Sequence, residues 1–240
     1  MDERQAHREF MPPPTCRVAA RAMVFVGVMS RVALEYEQNR DIAEFKRLHL
    51  CEWLEQLGVI EELEPSEMAL LNTPHGLMDK QAVVIAAEAV EAMLVFAWSL
   101  GLSALPPYDH QCEDEELAEL LALLSGRSEA LLQHPVLRDS AEIDRWRDTY
   151  LTIHWRLKEY ARSFVLLDLA EIVASPFNWG PLRVADLTLI EGDLAICGRR
   201  IDRAVPADFN RTYNIVRDRH KAFNWLLGAA PVYSAVSTDT

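Results

Sequence analysis

Lysine is scarce in this chain of 240 residues: four stand against 20 arginines, and these 24 cations face 37 Asp and Glu, a net charge of −13. A surface that acidic repels phosphate backbones and anionic headgroups, which argues against nucleic acid or a membrane surface as partner. Cysteine is sparse as well. Cys16, Cys51, Cys112 and Cys197 lie far apart without paired spacing, so no disulfide framework is indicated and free thiols in a reducing cytosol are expected. The chain also lacks a Gly-rich phosphate loop, a His-Glu-x-x-His zinc helix, a Cys-x-x-Cys pair, a nucleophile elbow and any internal repeat. No metal and no cofactor is implied. The first fifteen residues are polar and charged, which excludes a secretory signal there. The most apolar stretch, residues 82–105, carries Glu88 and Glu91 near its middle, and each would cost roughly 3 kcal/mol in a bilayer. A buried core helix is expected instead of a span, in a cytoplasmic protein.

What is present is apolar periodicity. Half of the residues are hydrophobic, enough to build one sizeable core. Pro12-Pro13-Pro14 separates a leader, expected to be disordered over 1–14, from a single helical domain over 15–240. Residues 17–38 follow helical spacing, with Val18, Ala22, Phe25, Met29, Val32 and Tyr36 on one stripe. Further helices are expected over 42–57, stopped by Gly58; after Pro65 with Ser66 as N-cap; from Asp79 to about Gly101; over 113–124; for about 25 residues from an N-cap at Ser140, with Ile143, Trp146, Tyr150, Ile153, Leu157 and Phe164 buried; and over 209–227, closed by Gly228. Residues 175–181 read as a loop. Residues 187–190 and 194–197 around Glu191-Gly192-Asp193 read as a short hairpin, the one β signal. The expected fold is a mostly α, single-domain bundle of about six to seven helices with one short β-hairpin near the C-terminus.

Glu88 and Glu91 are three apart, hence on one face of a helix that is otherwise apolar. Buried carboxylates either meet a cation or titrate upward, so they are a general acid–base pair or structural ion pairs with Arg21, Arg31, Arg156 or Arg219; the ion pair is the simpler reading. His220 falls on or beside the apolar face of the last helix and His154 borders that of its own. Were Glu91, His154 and His220 to converge, they would form an acid–base cluster. The loop His110-Gln111-Cys112 has metal-capable side chains without repeated ligand spacing, so a solvated loop is expected. The segment from Arg199 to Lys221 is locally basic and residues 52–67 and 113–119 are acidic, which pairs them within the molecule or offers a partner surface.

Several segments, in order, have the look of one family. Arg219-His220 through Asn224-Trp225-Leu226 to Thr238-Asp239-Thr240, Glu91-Ala92-Met93-Leu94 through Trp98 to Gly101, Leu105-Pro106-Pro107 and His154-Trp155-Arg156 resemble the bacterial family called domain of unknown function 4272. Tyr233-Ser234 stands where that pattern has Trp-Asp. The resemblance carries no activity, and it suggests a docked tail, with Asp239 accepting hydrogen bonds from an arginine, Arg219 by preference, or from a helix N-terminus; Glu88, Arg156, Arg219, Asn224, Trp225 and Asp239 are expected in a binding or structural polar network. The function expected is that of a cytosolic module binding another protein as a regulator, inhibitor or immunity-type partner. The alternative is a small hydrolase or ligand-binding enzyme using the Glu/His cluster. A homo-oligomer fits either.

Overall fold

A computed structural model describes residues 10–112, 127–175 and 180–239, of which eight segments are α-helical. The chain enters through Pro14, whose extended backbone (φ −63°, ψ 154°) leads into α1, Thr15–Ala33. α1 is apolar nearly all round, as befits a helix with neighbours on every side. It ends five residues earlier than its spacing suggests, in a 3₁₀ turn at Leu34–Tyr36, which leaves Tyr36 exposed and off the expected stripe. α2, Arg40–Gln56, is capped by the Asn39 side chain and packs on α1 where Gly27 removes a Cβ that would stand 2.9 Å from Leu54. α3, Pro65–Asn72, has Glu64 as its N-cap in place of Ser66: Pro65 takes the first helical position and Glu64 and Glu67 form a reciprocal capping box.

α4, Lys80–Ser99, is capped by Asp79 as expected. The helix expected over 113–124 lies outside the described residues. α5, Arg127–Gln133, is a short helix that no periodicity announced. α6, Ser140–Ser163, is capped by Asp139, one residue before the expected cap. Its expected buried stripe fails at one position: Phe164 lies past the helix end in left-handed backbone (φ 55°) and is 72% exposed. α7, Leu169–Ala174, follows. α8, Pro206–Leu226, starts three residues earlier than expected because Pro206 serves as its first residue.

The four long helices pack in the order α1, α4, α8, α6, so α8 lies between α4 and α6 and α4 between α1 and α8. Two aromatic clusters fill the seams. Phe25, Phe96, Trp225 and Tyr233 meet at centroid separations of 5.1–6.4 Å, and Trp98, Trp146, Tyr150 and Phe223 form the second.

The hairpin is present and carries a third strand. β1 (Leu189–Ile190), β2 (Asp193–Ile196) and β3 (Arg199–Arg200) form an antiparallel sheet in that order. Glu191-Gly192 and Cys197-Gly198 turn the chain with positive φ at both residues of each pair, the pattern of two-residue turns whose twist suits a hairpin. The second turn escaped notice because Cys197 is not a usual residue for left-handed backbone.

Phe10 donates its amide to the Gly228 carbonyl (3.1 Å), and a Cβ on Gly228 (φ 82°) would stand 2.4 Å from the Phe10 carbonyl oxygen. Phe10 onward, within the span expected as a leader, thus runs against the end of α8.

Candidate functional site

Five consecutive polar residues, Arg217 to Lys221, interrupt the apolar surface of α8 at its most enclosed point. Successive residues on a helix are about 100° apart, so five of them face the whole circumference and each meets a different neighbour. Arg219 is fully buried. Its Nε donates to Glu91 Oε2 on α4 (2.7 Å) and its Nη1 to the Tyr150 hydroxyl on α6 (3.0 Å). It also donates to the carbonyls of Pro106, Pro107 and His110 at 2.9–3.0 Å, which pins the loop after α4. Burial alone would disfavour the cation; the Tyr150 hydroxyl and Glu91 outweigh it and hold the Arg219 pKa above its ordinary value. From the other side of the loop, Tyr108 donates to the Ala195 carbonyl and Asp109 accepts the Cys197 amide (2.7 Å), so one loop ties the sheet to the bundle.

His220 turns the other way. Its Nδ1 lies 3.1 Å from Nδ1 of His154 on α6, and both rings are buried. One nitrogen must donate. His154 Nε2 is buried with no hydrogen-bond partner among the described residues, and an unmet lone pair costs less than an unmet N–H. That inventory puts the shared proton on His154 Nδ1, with His220 accepting. Burial is the main reason both rings resist protonation: His154 is lowered to about 4 and His220 to about 3. Lys158 and Arg217 near His154, and His154, Arg147 and Lys158 near His220, push the same way, and Asp239 opposes at His154. The sequence-expected residues therefore separate into two pairs along α8. The histidines take each other and Glu91 takes Arg219. Among the described residues no group of three or more His, Cys, Asp or Glu is placed to hold a metal ion.

On the next face, Asp218 accepts from Arg217 Nε (2.8 Å). Burial raises its pKa to about 6, against the pull of Arg217 and with the push of Glu88 and Glu91. Glu88 meets Lys221 Nζ (3.4 Å) and Arg217 Nη2 (3.8 Å). The remaining expected residues have structural partners. Arg156 forms a buried bidentate pair with Asp193 (2.7 and 2.5 Å), and Asp193 also accepts the Leu167 amide, so the sheet is anchored to α6. Asn224 donates to the Ser237 carbonyl (3.4 Å), and Trp225 is a core ring against Phe96.

Asp239 does not meet Arg219, whose donors are committed to Glu91, Tyr150 and the 106–110 loop. It is exposed and accepts from Ser237 Oγ (3.0 Å). The tail is held by Tyr233 and Val236, which are buried, and by Glu64, which accepts the Ser234 amide at 3.0 and 3.2 Å. Glu64 and Glu67 also hold the buried Arg21 (3.2, 2.5 and 2.8 Å), a cluster that sequence spacing did not assemble. The basic and acidic segments do not pair with each other as expected: Arg200 and Arg203 meet Glu191 and Arg211 meets Asp208, whereas Glu62 and Glu67 meet Arg17 and Arg21 of α1, and the acidic stretch 113–119 lies outside the described residues.

Open clefts lie elsewhere, one of about 270 Å³ between α1 and α2 lined by Ser30, Leu34, Leu50 and Trp53. A cleft of about 380 Å³ lies between the end of α6 and the start of α8, walled by Tyr160, Phe164 and Phe209 over Ile201. Phe164 in its wall is exposed, and so are Val165 and Leu166 after it and Val205 beside the lining residues Ala204 and Pro206. The signal in the sequence was the apolar run Phe164-Val165-Leu166 directly after the helix, of which Phe164 was read as the end of the buried stripe.

A family model described as Domain of unknown function (DUF4272) matches residues 4–163. The chain belongs to the DUF4272 family. The match takes in α1 to α6 and stops one residue before Phe164; the sheet, α8 and the tail lie beyond it. Of the residues just described, the DUF4272 span holds Glu88, Glu91, His154 and Arg156, while their partners Lys221, Arg219, His220 and Asp193 come from the part that follows. No curated protein and no solved structure matches the chain. Among the described residues no helix is long and apolar enough to cross a membrane.

Proposed function

We propose that this chain is a cytoplasmic protein-binding module, of a regulatory or inhibitor type, that engages its partner through the cleft at the end of α6. One observation carries the reading. Phe164 is displayed at 72% exposure in left-handed backbone, a conformation a bulky side chain enters only at a cost of roughly 1–2 kcal/mol. Exposed apolar side chains grouped about a concave surface mark interaction sites. The ionisable groups that could do acid–base chemistry are, by contrast, consumed in buried pairs, which weighs against the hydrolase alternative.

The test is affinity capture of the tagged chain from its own cells, with Phe164→Asn as the control. Asn tolerates left-handed backbone, so the variant removes the ring and keeps the turn. A protein captured by the parent and lost from the variant is the expected result. Identical captures from both would remove the cleft from the proposal.

A further inference from the structure

α2 packs on α1, at the other end of the bundle from α6, and turns one face outward. We infer that this face is a second docking surface, for a protein segment that is amphipathic and basic. The segment covers Ile42, Phe45 and Leu48 with its own apolar side chains and sets Lys and Arg against Asp41, Glu52 and Glu55. The inference stands on α2 and is independent of the cleft at the end of α6.

At about 100° per residue, Ile42, Phe45, Leu48 and His49 fall on the side of α2 opposite Ala43, Leu50 and Leu54, which are buried. Phe45 is 62% exposed and Leu48 52%, and the Phe45 ring lies against the exposed His49 (centroids 4.7 Å). The cleft of about 270 Å³ runs beside this ridge, with His49 belonging to both. In its lining Ser30 Oγ is shielded from solvent and has no hydrogen-bond partner among the described residues, so it can accept from an incoming donor. A ridge of apolar side chains beside a groove suits an amphipathic helix laid across it.

The charge of the face is negative and unmatched. From Glu37 to Glu55 five Asp and Glu stand against three Lys and Arg. Glu37 takes Lys46 (3.0 Å) and Glu44 takes Arg47 (2.8 Å), which commits two of the three cations. The third, Arg40, is two residues before Ile42 and so about 200° round the helix from it. Asp41 and Glu55 have no ionic partner among the described residues, and Glu52 reaches the imidazole of His49 (3.5 Å). Glu52 and Glu55 also repel each other at a spacing of three. They stand toward the C-terminus of α2, where the helix dipole disfavours a carboxylate and the last turn has no basic residue. Cations from a partner relieve both effects.

The net charge of −13 acts in the same sense and steers a basic segment toward the chain. A second copy fits less well: packed on itself about a two-fold axis between Phe45 and Leu48, the face sets Asp41 opposite Glu52.

The experiment selects random phage-displayed peptides on the immobilised full chain, each about 16 residues long so that as a helix it matches the length of α2. Fluorescence anisotropy then measures the selected peptides. Sequences that place Leu or Phe at helical spacing among Lys and Arg are expected. Their affinity should fall at least tenfold for Phe45→Ala and for the double variant Glu52→Gln, Glu55→Gln, several-fold between low and physiological salt, and not at all for Phe164→Asn. The substituted α2 side chains are exposed, and melts no lower than the parent's check that these variants fold. Peptides bound equally by the parent and Phe45→Ala would reveal attraction to net charge alone and overturn the inference. So would peptides that need Phe45 and carry no basic surplus, or that are lost with Phe164→Asn. A dimer in sedimentation that Phe45→Ala abolishes would give the face to a second copy and overturn it as well.

Discussion

The rings of His154 and His220 meet through like atoms, Nδ1 to Nδ1 at 3.1 Å, so the contact exists only while at least one ring is neutral. Protonating both would set two N–H donors against each other inside the bundle.

That geometry makes the fold acid-sensitive. Both rings titrate lower in the folded chain, about 4 and about 3, than the ordinary value of 6.5. Below pH 6.5 the unfolded chain therefore takes up two protons that the folded chain refuses, and stability falls. Asp218 works the other way: raised to about 6, it is protonated in the folded chain before the unfolded one, which returns one proton's worth between pH 6 and 4. Across these three groups the balance is one proton, a loss of roughly 1.4 kcal/mol per pH unit over that window, offset in part by Glu67, whose carboxyl pKa burial also raises. Urea unfolding at pH 7 and pH 5 measures it. His220→Asn should flatten the dependence, and an unchanged slope in that variant would remove the histidines as its source.

Glu91→Ala strands the Arg219 guanidinium in the core, although its bonds to the 106–110 carbonyls remain. A loss of about 3–5 kcal/mol is expected, or some 6–20 °C in Tm for a chain of this size. Replacing both partners, as Glu91→Leu with Arg219→Met, should recover part of it by removing the unpaired charge. A single variant that melts with the parent would show that the pair contributes nothing.

Phe164→Asn should leave Tm unchanged or raise it by a few degrees. The ring buries little, and Asn is far more at ease than Phe at φ 55°. A fall of more than about 1 kcal/mol, judged by denaturant midpoint, would mean that Phe164 is held for the fold instead of for display.

The tail divides at Val236. Ser237 and Asp239 are exposed and bonded to each other, so removing residues 237–240 should shift Tm by no more than a degree or two. Removing everything from Tyr233 empties a seat beside Phe25 and Phe96 and should cost about 3 kcal/mol or more. Amide exchange checks the same boundary, with slow exchange expected before Ser237 and fast exchange after it.

The long helices and the first hairpin turn were legible because apolar period and left-handed glycines are local signals, and Gly58, Gly101 and Gly228 all stop helices where expected, whereas the short α5 and α7 offered too few turns to show a period. The choice of Arg219 among four arginines was not legible. Arg21, Arg31 and Arg156 are equally buried, and which carboxylate each meets depends on helix order and crossing. Asp239 failed as a partner of Arg219 for the same reason: closeness in sequence said nothing about the 106–110 loop, which had already claimed the guanidinium. Phe164 was misplaced because helical spacing carries on past the residue where the helix stops.

The run from Arg217 to Lys221 has a further consequence, which concerns register. A bundle of smooth apolar helices can slide or rotate a helix by one residue at little cost. Here a rotation of α8 by one position would set Asp218 toward the Glu91 seat and push Arg219 toward the His154 ring. α8 therefore has one permitted setting between its neighbours. Single substitutions from Arg217 to Lys221 lower stability unless the facing residue changes with them, so Arg219 with Glu91, and His220 with His154, should vary as linked pairs wherever this arrangement is kept.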